Sequence, residues 1–330
     1  MTGPTSAKRV TSKQMSNPKT GSLVKVVVSN DAGKWVSPAK DATFSIDAAA
    51  VFPPIRFEIE TQQPGPYRWN WTLVWSAKVS GLRESTKRGL ALKTFKDAGL
   101  FESADKAWVP SIGKVIGGKL TVEVKAGSEI FRRSVVIKGT NPKQGDVEAL
   151  LATLSDTDGF ERILAQESHF KNFIDADGQP IVAFDQGYGM TQMTSPAPTY
   201  EQTWNWKANV RGGVGLYQQK QKAAKAYLSQ AGRSYTAEQL RLETWSRWNG
   251  GGYHKWNAAK AVWVRNDDML CDSKTGNIGW NMSDADNTKQ TETELHDRDV
   301  DSYKNPKKNK SAGNKWTYTG ICYADHLDGH

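Results

Sequence analysis

The sequence predicts an α+β multidomain fold. An N-terminal antiparallel β-sandwich of immunoglobulin-like type is expected over residues 21–140, followed by a mainly α-helical domain over 141–330. Three observations carry this. Six or seven short runs before residue 140 alternate apolar and polar side chains, the period-2 pattern of strands with one buried face. After residue 141 the apolar residues recur at steps of three and four, the period of amphipathic helices. A length of 330 residues suffices for two cores, and 38% hydrophobic against 24% charged residues is the balance of a globular chain.

Residues 1–20 are polar and basic, without the apolar segment of a secretory signal, and read as a disordered tail. Strands are then expected at 22–28 (SLVKVVV), 43–47 (TFSID), 55–60 (IRFEIE), 68–79 (RWNWTLVWSAKV), 120–125 (LTVEVK) and 130–138 (IFRRSVVIK). Turns rich in Gly, Pro and Asp separate them, as in a sandwich. A further strand at 90–95 leads into a polar loop. Trp69, Trp71 and Trp75 share one face of their strand, which suits a sheet core. This half carries no paired carboxylates, no His or Cys cluster and no Gly-rich phosphate loop. Its expected role is therefore spacing or binding.

Gly139-Thr140-Asn141-Pro142 breaks the sheet. Asp146 can cap a short helix over 147–154, with Val147, Leu150, Leu151 and Leu154 on one face. The next helix begins near Phe160, with Asp156, Thr157 or Asp158 as its cap. Its apolar stripe is Phe160, Ile163, Leu164 and Phe170, and Glu167 falls on that stripe. Such a carboxylate either reaches solvent at the edge, pairs with a lysine, or sits among apolar groups. In the last case burial disfavours the charge and raises the pKa, as a general acid working near neutrality requires.

Residues 175–178 (DADG) make a turn, and 179–184 a strand of a small hairpin. Asp175, Asp177 and Gly178 resemble the start of a calcium loop, but no acidic residue closes it at the required distance. Helices follow over 204–231, with Val210, Val214, Tyr217, Ala224 and Leu228 near one face, and over 236–248, with Leu240, Thr244, Trp245 and Trp248. Residues 258–330 read as a loop-rich extension. His296, His326 and His330 lack a ligand spacing, and the reading calls for no metal and no cofactor.

Four pieces stand in one order: Glu167-Ser168; Gly187-Tyr188-Gly189-Met190-Thr191-Gln192; a helix with Asn209-Val210-Arg211-Gly212-Gly213; and Trp248-Asn249-Gly250-Gly251. Over about residues 146–256, a third of the chain, this order resembles soluble lytic transglycosylases and goose-type lysozymes. The resemblance implies a lysozyme-like domain that cuts the β-1,4 bond between N-acetylmuramic acid and N-acetylglucosamine, with Glu167 as general acid. It also places Ser168, Tyr188, Gly189, Met190, Gln192, Trp248, Asn249 and Tyr253 along a sugar-binding cleft. Gly187 and Gly189 would allow a tight turn close to the ligand. Two positions depart from the family: Thr191 replaces an apolar residue, and Trp248 stands where a tyrosine hydroxyl reaches the catalytic glutamate. Either the Trp248 indole N–H or Tyr253 is expected to take that place.

The resemblance leaves two outcomes. In a hydrolase a second carboxylate activates water or stabilises the oxocarbenium ion. In a lytic transglycosylase the same glutamate turns base and the muramic 6-hydroxyl attacks, giving a 1,6-anhydro product. Asp185 resembles the aspartate before the glycine turn of goose-type lysozymes and is the candidate second carboxylate. Thr194 stands where those lysozymes carry another acid, so the count leans towards transglycosylase.

A net charge of +9 favours an anionic partner, and peptidoglycan with its associated polymers is one. Nucleic acid is the runner-up, but the lysines are scattered, the densest cluster is 304–315, and no zinc-finger, RNP-like or helix-turn-helix pattern accompanies them. Thirteen tryptophans suit either sugar stacking or two cores. No run approaches the ~18 apolar residues of a membrane span. Cys271 and Cys322 lie in a polar stretch that would gain about 3 to 4 kcal/mol from a disulfide, which would point to an oxidising destination; the alternative is two thiols. With no signal segment, the expectation is synthesis in the cytoplasm and delivery to the periplasm or wall, as a phage-type lysin, tail enzyme or injected toxin. Its partners would be the glycan strand, a secretion apparatus or phage tail, and an immunity protein. The alternative class is a non-catalytic wall-binding or tail protein.

Overall fold

The computed structural model describes residues 31–82, 87–304 and 315–329. The expected tail at 1–20, the strand at 22–28, His330 and most of the 304–315 lysine cluster lie outside the described residues. Among those described, the chain is mixed α and β, with seven α-helices and thirteen strands in four sheets. No helix among them is long and apolar enough to cross a membrane. The chain divides into two compact units: one runs through Asn141 and takes in Phe173–Phe184, the other comprises Pro142–Asn172 and the residues from Asp185 on.

In the first unit the strands are β1 (Trp35–Ser37), β2 (Thr43–Ile46), β3 (Phe57–Ile59), β4 (Tyr67–Lys78), β5 (Ala91–Ser103), β6 (Ala107–Trp108), β7 (Gly118–Ala126) and β8 (Glu129–Gly139). One sheet has the order β2-β8-β7-β4-β5, the other β1-β3-β6. The expected all-antiparallel pairing is corrected at β2–β8, which is parallel. These strands are distant in sequence, and only strands joined by short turns must run antiparallel. The expected polar loop after residue 95 is instead the rest of β5, paired with β4 from Ala91 to Ser103. β4 supplies the hydrogen-bond ladder that the polar sequence of β5 does not advertise. Strands β1 and β6, three and two residues long, are too short to display a period.

Alternation along β4 does what the sequence requires: Trp69, Trp71, Leu73, Trp75 and Ala77 are all buried. Trp108 of β6 packs against Trp69, Trp71 and Phe101, with ring centroids 6.1, 6.5 and 5.1 Å apart, and so ties the small sheet to the large one. Residues 173–184 join this unit. The Trp75 indole N–H donates to Gln179 Oε1 at 2.7 Å, and the Ser80 hydroxyl donates to the Val182 carbonyl at 2.7 Å. The strand expected at 179–184 is reduced to isolated bridge positions at Pro180, which pairs with Phe173, and Val182.

The second unit begins with α1 (Gln144–Leu151), α2 (Phe160–Ser168), α3 (Tyr200–Trp204), α4 (Trp206–Leu228) and α5 (Ala237–Trp248). Asp146 does not cap α1 from outside; it sits in the first turn and accepts from the Lys143 N–H. None of residues 156–158 caps α2. Gly159 precedes it at φ +78°, and a Cβ there would meet the Trp245 indole of α5 at 2.8 Å. The helix expected over 204–231 is split at Asn205, whose side chain accepts from the N–H groups of Lys207 and Ala208 and starts α4. Thr236 and Gln239 form a reciprocal cap on α5.

The expected loop-rich extension is corrected as well. It holds the hairpin β9 (His254–Asn257) and β10 (Val262–Arg265), a sheet of β11 (Met269–Cys271), β12 (Ile278–Asn281) and β13 (Thr317–Tyr318), and helices α6 (Glu292–Lys304) and α7 (Gly320–Asp328). Ile278, Trp280, Leu295 and Trp316 give this region a small core of its own. A disulfide joins Cys271 of β11 to Cys322 of α7, with Cα atoms 5.3 Å apart.

Candidate active site

Glu167 lies in the last turn of α2. The buried stripe of that helix is Phe160, Ile163, Leu164 and Ser168, so Glu167 sits beside it and is half-buried. The chain then turns sharply, with His169 and Phe170 both left-handed at φ +51° and +59°. Such backbone is costly outside glycine and persists only where surrounding contacts hold it.

One face of α2 meets α7. The Tyr323 hydroxyl donates to Glu167 Oε1 at 2.7 Å. One residue earlier, His326 Nε2 lies 3.2 Å from Gln166 Oε1, and Arg162 donates to the Leu327 carbonyl at 2.9 Å. Neither residue expected at the glutamate is there. Trp248 packs edge-on against Phe160, centroids 5.6 Å apart, and Tyr253 donates its hydroxyl to Asp325 Oδ1 at 2.6 Å. Burial and that bond to Asp325 push the Tyr253 phenol pKa up. The hydroxyl that reaches Glu167 comes from a residue 156 positions away, beyond the stretch that carries the family pattern.

The glycine turn is clamped from behind. Ser168 Oγ donates to the Met190 carbonyl at 2.7 Å and fastens α2 to the turn. Asn172 Oδ1 accepts from the Met190 N–H, while its amide donates to the Thr203 carbonyl. Asn209, fully buried on α4, accepts from the N–H and hydroxyl of Thr191, both at 2.9 Å, and donates to the Tyr188 and Gln202 carbonyls. This explains the polar residue at 191, because its hydroxyl has a buried partner. Gly189 is at φ +68°, and a Cβ there would strike Asn172 and lie 2.7 Å from Asn209 Nδ2. Its smallness serves the clamp. Gly187 does not have a positive φ; a Cβ there would crowd Gln192.

Ser168, Tyr188, Gly189, Met190 and Tyr253, all expected along the cleft, are buried in the protein. They build a wall rather than present a surface, since each is consumed by packing or backbone contacts. Gln192 is half-buried, with its amide donating to the Gly189 carbonyl at 2.6 Å; Trp248 is half-buried and Asn249 exposed. Asp185 is exposed, and its Oδ1 accepts from the Gly187 N–H at 3.2 Å.

Sequence reasoning missed two groups. Tyr323 is one; the nearest signal was its neighbour Cys322. The other is Glu243, whose side chain is fully buried on α5. Its Oε2 accepts from the N–H groups of Tyr253 and His254, each at 3.0 Å, and its Oε1 pairs with Arg247 at 2.8 Å. Burial alone would push its pKa up, but the His254 side-chain and backbone hydrogen bonds, aided by Arg247, outweigh that and hold it below the ordinary carboxylate value. Glu243 thereby fixes the loop after α5. Among the described residues no three His, Cys, Asp or Glu side chains come together to hold a metal ion.

Compared with known protein families, curated proteins and solved structures, the chain matches none of the three.

Proposed function

We propose that this chain is a peptidoglycan-cleaving glycosidase that acts on the β-1,4 bond between N-acetylmuramic acid and N-acetylglucosamine, with Glu167 as the general acid. The second unit is then a lysozyme-like domain, and the first an immunoglobulin-like sandwich that presents it to the wall or to a delivery partner. The observation that carries the reading is the Tyr323–Glu167 hydrogen bond. A glutamate that follows an apolar helix stripe, precedes a serine fastened to a Gly-x-Gly-Met-x-Gln turn and takes a tyrosine hydroxyl is arranged for proton transfer, not for packing alone. That tyrosine is the element the sequence pattern lacked at Trp248. The positive net charge suits an anionic wall polymer. Action would follow delivery to the periplasm or wall, by a phage-type or secreted route.

Transglycosylation is favoured over hydrolysis. The candidate second carboxylate, Asp185, is exposed and spends one oxygen on the Gly187 N–H.

Mass spectrometry of the soluble fragments released from purified peptidoglycan tests the reading. Fragments ending in 1,6-anhydro-muramic acid are expected, and Glu167→Gln should lower their release by about 10²- to 10⁴-fold with the melting curve unchanged. Reducing ends one water heavier would transfer the second role to Asp185. Full release by the variant would remove Glu167 from the chemistry, and wall binding without release would leave a non-catalytic binding protein.

A further inference from the structure

The hydroxyl on Glu167 is held by a helix whose next residue back, Cys322, is covalently tied to β11. We infer that the Cys271–Cys322 disulfide is a redox gate on the Glu167 site: oxidised, it keeps Tyr323 on the glutamate; reduced, it lets α7 withdraw and cleavage falls. This deepens the glycosidase reading and rests on it.

The packing says why the bond should matter locally. Cys322 is fully buried, and its sulfur lies against β12, where Gly279 leaves just enough room: a Cβ there would be 2.8 Å from Sγ. Two thiols cannot stay at bonding distance, so on reduction one sulfur must move. The β12 backbone blocks movement into the sheet. Cys271 is held on its side by the β11–β12 pairing and by Arg265, whose guanidinium lies 3.1 Å from its sulfur. The displacement therefore falls on α7, and Tyr323 is the adjoining residue. Other contacts keep α7 from leaving altogether. Asp325 pairs with Arg265 at 2.6 Å, and Gly320 packs directly on the backbone of Ser246 in α5 and of Gly251 in the loop after it. The gate thus shifts one hydroxyl without unfolding the unit. Cys271 is half-buried and Cys322 fully buried, so a small reductant would approach the bond from the Cys271 side. The step balances simply. A dithiol attacks the bond, both sulfurs gain a proton and an electron, and the dithiol leaves as its own cyclic disulfide.

The test compares the full chain oxidised and reduced with dithiothreitol, beside Tyr323→Phe and the double variant Cys271→Ser/Cys322→Ser. Hydrogen exchange is the readout that does not depend on activity. Reduction should speed exchange in α7 and leave α4 protected. Equal protection of α7 in both states, or loss of protection in α4 as well, would overturn the gate, the latter by making the bond a general staple. On a soluble glycan oligomer, reduction should lower kcat about tenfold to a hundredfold, the range for a lost hydrogen bond to a charged group, with KM nearly unchanged. The double variant should match the reduced chain, and reduction of Tyr323→Phe should add nothing. A further loss on reducing Tyr323→Phe would show the bond acting elsewhere and sink the proposal. If the oxidised chain releases no fragments at all, the glycosidase reading fails, while the exchange data still decide whether the disulfide governs α7.

Discussion

At the scale of the residue, buried polar groups matter most where one side chain satisfies several backbone atoms. Asn209 makes four hydrogen bonds to the glycine turn and its surroundings, three of them to backbone atoms. Truncating it strands buried donors and acceptors, each costing about 1–3 kcal/mol. Asn209→Ala should therefore lose at least ~3 kcal/mol in urea titration; a loss within experimental error would mean that the turn holds itself. Glu243 should act through pH. Because its pKa is held below the ordinary value of 4.5, it stabilises the fold above that value, and the contribution fades as pH falls from there to the lowered one. Glu243→Gln should cost ~3 kcal/mol at neutral pH by leaving Arg247 unpaired, and the variant should lose less than the wild type on acidification. Parallel acid titrations of the two would contradict this.

At the scale of the element, α7 decides the site, and its position rests on the absence of side chains. A Cβ at Gly320 would strike the Ser246 carbonyl and lie 2.8 Å from the Gly251 N–H. Gly320→Ala should push α7 off α5, and with it Tyr323 off Glu167, so fragment release should fall although the added methyl carbon touches neither of those two residues. Gly215, in the middle of α4, has nothing within 4 Å of its would-be Cβ. Gly215→Ala should stabilise by about 0.5–1 kcal/mol, since alanine loses less entropy in a helix. Paired melting curves and release assays on these two variants check both statements; unchanged release by Gly320→Ala would deny α7 its part.

At the scale of the whole molecule, the units are not consecutive stretches of chain. Residues 173–184 leave the second unit after Asn172, pack in the first and return at Asp185. Phe173 and Val182 are buried there, and the Phe173 ring covers Gly139. A fragment of residues 142–330 should therefore expose this segment, bind an apolar dye and tend to aggregate, whereas the same fragment with 173–184 replaced by a Gly/Ser linker should not. Dye binding in both, or in neither, would contradict the assignment.

Much of this was legible in the sequence, for physical reasons. Alternation over 68–79 placed three tryptophans in a sheet core, and helix period marked α2, α4 and α5, because each element's buried face is written within its own residues. What stayed hidden is what depends on partners far along the chain. The parallel β2–β8 pairing, the polar edge strand β5 and the split membership of 173–184 are set by neighbours, not by any local period. The hydroxyl on Glu167 is the sharpest case. Local pattern singled out the glutamate and the family resemblance pointed to Trp248 or Tyr253, but one packs on Phe160 and the other is taken by Asp325. Sequence alone determined which carboxylate stands at the end of an apolar helix. Tertiary structure alone decided what touches it, because a hydrogen bond is set by distance in space, and Tyr323 reaches its position through the close approach of α7 to α5 and the Cys271–Cys322 bond.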